Sequence, residues 1–556
     1  MYLQVDLAKF PVQLTTARCN DPVVFIGNVS APTKDTSRPI VDLGYAKYQG
    51  VSHGSVGVDE YLGIRFAAPP TGNNRWRAPQ DPLKESKIQD ASQLKPVCLG
   101  TYSKKEKLDQ LSEDCLYMNI YAPSNATADS KLPVWFFIQG GGWAHNADQN
   151  INGTNVVERS GGNVIFVQIN YRVGAFGFLA SEKVRENGAL NAGLLDQRKG
   201  LEWVQKYITR FGGDPNHVVI HGDSAGAGAI IYHLLAYGGR DDGLFIGGIS
   251  ESPFVPYHMT VEQSEWQFER YASDVGCSGA RDVLKCLRNK DTKTLHKADV
   301  PSPFPGGGNE NPLWYFTPVI DDDFAPDFVY PMLEQGRFIK VPILVGDDND
   351  EGTGFAPNVS SKEGFFKFMK GNYPPLEIQE LEPINALYEL NHLYINHAPW
   401  YTPASRAYGE STFVCIGNEL ASQMALINNP NKVWHYRYDV YEKDNAEMGW
   451  GTPHVAEKKP IFGPDANDGC DTEKGCPYTT YDKEVGQFVM DYWLSFIRSL
   501  NPNTYKSSKA PEWEPYGIEG GQRMLFQTNV TTMEDIAVDQ VERCQLWRNL
   551  GVLMQQ

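Results

Sequence analysis

The sequence predicts an α/β fold: a large, mostly parallel central sheet flanked by helices, with sizeable insertions. Three observations carry that expectation. Short apolar runs end at glycines or turns, as in Leu132 to Ile138 before Gly140, Val164 to Ile169 and Val218 to Ile220. Helix-compatible windows alternate with them, notably Asp196 to Phe211 and Ala227 to Leu235. Strands alternating with helices build a sheet covered on both faces, whose members read as continuous apolar runs. Finally, no internal repeat, low-complexity tract or long linker divides the 556 residues, so one domain with insertions fits best.

Taken in order, residues 1–42 read as an irregular or edge segment without strong periodicity, in which Cys19 has no obvious partner. Residues 43–556 are expected to form the single domain. Later strands are expected at Val341 to Val345, which runs into the acidic stretch Asp347 to Glu351, and at Val433 to Tyr438, before a loop rich in Gly, Asn and Pro. In such sheets functional side chains sit at the carboxyl ends of strands.

Charge and composition exclude some partners. With 50 basic against 68 acidic side chains the net charge is −18, and no basic run is present to neutralise phosphates, so nucleic acid is not expected to bind. No stretch approaches the roughly 18 apolar residues of a membrane span. Met1 to Phe10 contain Asp6 and Lys9 and show no leader-like apolar run. Nevertheless five sequons begin at Asn28, Asn125, Asn152, Asn358 and Asn529, and several cysteines are spaced like loop clips: Cys98 with Cys115, Cys277 with Cys286, Cys470 with Cys476. Together they predict an oxidising, secretory route.

The sharpest motif follows the run Val218 to Ile220. Gly222-Asp223-Ser224-Ala225-Gly226 is G-x-S-x-G between a strand and a helix, the setting in which a strained turn exposes a serine for nucleophilic attack. Glycine at 222 and 226 removes side chains that such a turn would bring into collision. Upstream, Gln139-Gly140-Gly141-Gly142-Trp143 ends another strand. The amides of Gly141 and Gly142, with that of Ala225, could hold an oxyanion. No Lys-Ser/Thr follows the glycines, which removes a phosphate-loop reading.

The chain resembles the type-B carboxylesterase/lipase family of α/β-hydrolases, and in particular its secreted fungal carboxylesterases. The resemblance rests on Tyr61 to Pro70, Glu113-Asp114-Cys115-Leu116-Tyr117-Met118-Asn119, Asn170-Tyr171-Arg172, Asn191 to Arg198, Phe211 to Asn216, Asn501-Pro502-Asn503 and Trp513 to Tyr516. Two positions depart from its pattern: Arg65 stands in place of a common proline and Asp223 in place of the usual glutamate. The resemblance implies an α/β-hydrolase fold and a serine carboxylic ester hydrolase without metal or organic cofactor. It selects Glu351, in Asp350-Glu351-Gly352, as the acid and His454, in His454-Val455-Ala456-Glu457, as the base. Asp347, Asp348 and Asp350 are rivals to Glu351, each readable as part of a solvated acidic turn, and His221 and His435 read as packed histidines. It also implies disulfides Cys98–Cys115, Cys277–Cys286 and Cys415–Cys544, with Cys470 and Cys476 expected as a further local clip.

Substrate preference is less explicit. The loop between Cys98 and Cys115 holds only sixteen residues, includes the polar run Ser103 to Lys107 and has no tryptophan. That argues against the amphipathic lid of the family's lipases and the choline-stacking tryptophan of its cholinesterases. A small-molecule ester is the expected substrate, with Trp143 a candidate pocket residue and Ser252 a candidate hydroxyl near His454. Alternatives are a lipase, an acyltransferase or lactone-forming enzyme on the same three residues, and an adhesion-type relative that binds without catalysis.

Overall fold

The computed structural model describes residues 38–103, 108–147, 151–388, 390, 394–463, 476–517 and 520–556. Eleven strands form the main sheet: β1 Val51–His53, β2 Val58–Arg65, β3 Tyr117–Pro123, β4 Leu132–Ile138, β5 Ile165–Ile169, β6 Gly213–Asp223, β7 Gly247–Glu251, β8 Ile343–Asp348, β9 Val433–Asp439, β10 Gln522–Gln527 and β11 Val530–Asp535. Their order across the sheet is β11-β10-β9-β8-β7-β6-β4-β5-β3-β2-β1. The central strands from β10 to β5 pair in parallel, and antiparallel strands close both edges. This is the α/β-hydrolase arrangement, with the mostly parallel sheet and flanking helices that the sequence predicts.

Alternation along the central strands feeds two apolar cores. In β4, Val134, Phe136 and Ile138 enter one and Trp135 and Phe137 the other. Helices α1 Ala192–Tyr207, α2 Ala225–Gly239 and α3 Cys415–Ile427 cover the first face through Leu201, Ile230 and Leu420, while α4 Lys483–Ser499 covers the second through Val489, Trp493 and Phe496. Each large side chain so buried contributes roughly 1.5–3 kcal/mol. A fifth helix, α5 Val538–Leu550, is tied to α3 by the disulfide Cys415–Cys544.

Disulfides Cys98–Cys115 and Cys277–Cys286 also form as expected. Cys476 is disulfide-bonded; Cys470, its expected partner, lies outside the described residues, as do Cys19 and Asn28. Ile40–Asp42 pairs antiparallel with Lys47–Gln49, which pairs in parallel with Ile88–Asp90, in a small separate sheet. Among the described residues, no helix is long and apolar enough to cross a membrane, and no group of three or more His, Cys, Asp or Glu is arranged to hold a metal ion.

The parallel register sets the site. β4, β6, β7, β8 and β9 run in one direction, so Ile138, Asp223, Glu251, Asp348 and Asp439 all end at one edge of the sheet. The glycine loop, Ser224, Ser252, Glu351 and His454 follow those ends.

Candidate active site

At the end of β6 the chain turns directly into α2. Ser224 carries that turn at φ 55° and ψ −122°, a conformation costing a non-glycine residue about 1–3 kcal/mol. Neighbouring bonds hold it there: its amide donates to the Glu251 carbonyl at 2.9 Å, and its carbonyl accepts from Gly228 at 2.9 Å and Phe254 at 3.2 Å. The flanking glycines are sterically required. A Cβ at Gly222 would lie 2.3 Å from the Gly226 backbone, and one at Gly226 only 1.9 Å from the Ile138 carbonyl oxygen. Ser224 is left half-buried while its neighbours on both sides are buried.

Beside it the glycine loop follows β4. The Gly140 amide donates to Asp223 Oδ1 at 2.7 Å, and a Cβ at Gly140 would stand 2.8 Å from the Ser224 Cβ. Gly141 and Gly142 have φ of +120° and +61°, so the loop bends through conformations that other residues rarely adopt. Tyr171 anchors its start by donating to the Gln139 carbonyl at 2.8 Å. Ala225 is the first residue of α2, where an amide has no acceptor inside the helix. The helix dipole also favours negative charge at this end.

The candidate acid and base meet across the strand ends. Glu351 Oε2 is hydrogen-bonded to His454 Nδ1, and Glu351 Oε1 accepts the Asp348 amide at 2.8 Å. Occupation of Nδ1 by the carboxylate leaves Nε2 as the available nitrogen, and it is buried without a protein partner. The imidazole is held between Phe413, with ring centroids 4.3 Å apart, and Phe355, at 5.2 Å. Just beyond His454, the Lys458 ammonium lies 3.3 Å from Asp223 Oδ2. Asp223, next to Ser224, thus joins the glycine loop to the histidine loop.

Behind this dyad lies a buried acidic cluster, so the solvated-turn reading of Asp347, Asp348 and Asp350 does not hold: they are only 1%, 1% and 9% exposed. Asp350 accepts the Tyr394 hydroxyl at 2.7 Å and the Thr452 amide at 2.9 Å. Asp348 Oδ2 accepts the Ala456 amide at 3.0 Å. Ser252 sits between Asp348 Oδ2 at 3.3 Å and Glu457 Oε1 at 3.4 Å, and Tyr436 donates to that same Glu457 oxygen at 2.8 Å. Burial, reinforced by the Glu457 and Glu351 charges, pushes the Asp348 carboxyl well above its ordinary range, and burial also raises Glu457. Both shifts disfavour two negative charges on this buried pair.

The two packed histidines are where the sequence puts them. His221 accepts from Trp135 Nε1 at 3.0 Å through Nδ1, so its Nε2–H donates to Glu251 at 2.8 Å. Burial lowers its pKa to about 3, keeping it neutral. His435 is fully buried, and burial likewise holds it well below the usual range.

One expected pocket residue falls elsewhere. Trp143 is wholly buried and packs on Tyr171, Phe178 and Tyr232. The tryptophan that meets the glycine loop is Trp314: a Cβ on Gly142 would lie 1.9 Å from its ring. Its Nε1–H donates to the Tyr408 hydroxyl at 3.0 Å, and its ring meets Phe254 and Phe355 with centroids 5.2 and 5.9 Å apart. Phe254 in turn contacts Phe413 at 5.5 Å, completing an aromatic wall from Gly142 to His454. No sequence motif marks Trp314, which lies in an insertion between strands. A charged cavity of about 350 Å³, lined by Glu351, Arg406, Arg437 and Arg523 among others, has neither Ser224 nor His454 in its lining.

Comparison with known proteins places the chain in a family. Residues 37–547 match the model of the Carboxylesterase family. Lipase 1 of Geotrichum candidum is 36% identical over 527 residues, covering 86% of this chain and 89% of the relative. Secreted lipase 4 of Gibberella zeae is 27% identical, covering 88% of each. Among solved structures, Aspergillus niger EstA superposes with a TM-score of 0.91 at 50% identity, over 93% of this chain and 99% of that one.

Proposed function

The chain belongs to the carboxylesterase family and is a carboxylic ester hydrolase, and from that premise we propose that Ser224, His454 and Glu351 are its nucleophile, base and acid. The observation that carries this reading is the Glu351–His454 Nδ1 hydrogen bond, which leaves Nε2 available, while Ser224 stands in a strained turn at the same edge of the sheet. In the proposed cycle Ser224 Oγ attacks the ester carbonyl while His454 Nε2 takes its proton. Glu351 fixes the tautomer and stabilises the imidazolium. The developing oxyanion is held by the amides of Gly141, Gly142 and Ala225, each such donor being worth about 2.7–4 kcal/mol. Collapse expels the alcohol, which takes the proton from His454. Water, deprotonated by the same nitrogen, then releases the acid and restores Ser224.

The wall of Trp314, Phe254 and Phe413 supports short or modestly apolar acyl groups, since rings occupy the space beside Gly142. In the loop closed by Cys98 and Cys115, the described residues form only a single turn, Leu108–Gln110, and the two-residue strands at 97–98 and 111–112. Export is proposed on three disulfides, the name of the secreted Gibberella relative, and the exposure of Asn125, Asn152, Asn358 and Asn529, which are the proposed glycosylation sites.

The test is turnover of p-nitrophenyl esters of increasing acyl length. Ser224→Ala should remove turnover and fluorophosphonate labelling while leaving the thermal midpoint near wild type; undiminished turnover would refute the assignment. A jump in rate at an emulsion interface would favour the lipase reading suggested by the Geotrichum relative's name.

A further inference from the structure

Between two regular stretches of helix, Tyr401–Gly409 and Cys415–Ile427, residues Glu410–Val414 form a π turn. Such turns widen a helix by one residue and free carbonyls from the regular ladder. Here two consecutive carbonyls face other parts of the chain: Thr412 O accepts the Val255 amide at 3.1 Å, and Ser411 O accepts Gln556 Nε2 at 2.9 Å. Phe413, which packs on His454, is the next residue.

Gln556 is remote in sequence and completely buried. Its side-chain nitrogen reaches both Ser411 O and Val255 O, and lies 3.3 Å from the Tyr373 hydroxyl. Tyr373 is itself hydrogen-bonded to Thr412 Oγ1 at 2.7 Å. The backbone around it is fixed too, since Tyr330 donates to the Gln556 carbonyl at 3.3 Å and His258 to that of Gln555 at 3.0 Å. One carboxamide therefore clamps the segment that follows Phe254 to the segment that precedes Phe413. Phe254 is the residue whose amide binds the Ser224 carbonyl, and Phe413 the one whose ring braces the imidazole.

We propose that Gln556 is a positioning residue for ester hydrolysis: by bonding Val255 O and Ser411 O it sets the separation of Phe254 and Phe413, and with it the size of acyl group that the site accepts. This rests on the assignment of Ser224 and His454 above. A small shift of either ring changes both the space beside the serine and the seating of the base, and displacements of about 1 Å at such sites cost as much as 10²-fold.

The experiment measures kcat and KM for p-nitrophenyl esters of two-, four- and eight-carbon acids in the full chain. Gln556→Met keeps the bulk and removes both donors; its kcat/KM on the preferred ester should fall about tenfold while the ratio between short and long esters flattens. Tyr373→Phe, which loosens the same turn more gently, should shift that ratio in the same direction. Met554→Ala removes a fully buried side chain from the same tail; it should lower the thermal midpoint and leave the ratio unchanged. A wild-type acyl profile in both Gln556→Met and Tyr373→Phe would overturn the proposal, as would an equal change of ratio in Met554→Ala. Wild-type protein inert towards all three esters would instead count against the reading of Ser224 itself.

Discussion

Glu351 has two jobs that a neutral amide cannot do together: one oxygen accepts from His454 Nδ1 and the other from the Asp348 amide. In Glu351→Gln the amide group would favour the wrong imidazole tautomer, so kcat should fall about 10²- to 10⁴-fold with KM little changed, measured on a short-acyl ester. Asp348 offers a test of its buried carboxyl. Its folded pKa is raised, so its contribution to stability is complete below the ordinary carboxylate range and is lost as pH climbs through the raised value. Asp348→Asn keeps an acceptor for Ala456 and cannot ionise. Its thermal midpoint should therefore drop less than that of wild type as pH climbs above the ordinary carboxylate range; parallel curves would show that the Asp348 carboxyl is not raised. Sequence proximity singled out Asp347, Asp348 and Asp350 only as rivals to Glu351. The partners of Asp350 and Asp348 are Tyr394, Thr452 and Ala456, segments that no local pattern ties to the acidic run.

Among elements, the turn from β6 to α2 was readable because its chemistry is local: the two glycines and the strand and helix around them are contiguous in sequence. Other motifs are legible one by one in the sequence, but only the fold pairs them. Gly63 donates to Asn119 at 2.9 Å, Arg172 grips Asp196 with its backbone amide and two guanidinium nitrogens, and Asn503 exchanges hydrogen bonds with Trp513 at 2.8 and 2.9 Å. Adjacency of Trp143 to the glycines says nothing about direction; at φ 61° its side chain enters the core, and it is Trp314 that lies against Gly142. Two substitutions probe this loop. Gly142→Ala meets both a positive φ and the Trp314 ring, so kcat/KM should fall about 10²- to 10³-fold, as for loss of an oxyanion donor. Trp314→Ala should raise kcat/KM for eight-carbon over two-carbon acyl esters by about tenfold, roughly the value of the apolar area released.

The whole molecule is held together across long sequence distances by Cys415–Cys544, which closes a separation of 129 residues between α3 and α5. Removing that constraint by Cys415→Ser with Cys544→Ser should cost about 2–4 kcal/mol, read as a lower urea midpoint at unchanged slope. Because α3 continues the helix that carries Phe413, activity of the double variant should decline before global unfolding as urea is raised.

Alternation of apolar runs and helices, with the glycines at 222 and 226, was enough to determine the α/β class and the serine turn, because those follow from local periodicity and from positions where a Cβ would collide with neighbouring backbone. Resemblance then selected Glu351 and His454 from many candidates. Only the tertiary structure decided which carboxylates are buried, which tryptophan faces the glycines, and that Gln556 reaches beneath the aromatic wall. Burial and direction are set by what packs against a residue from distant parts of the chain, and that information is not carried by the neighbours in sequence.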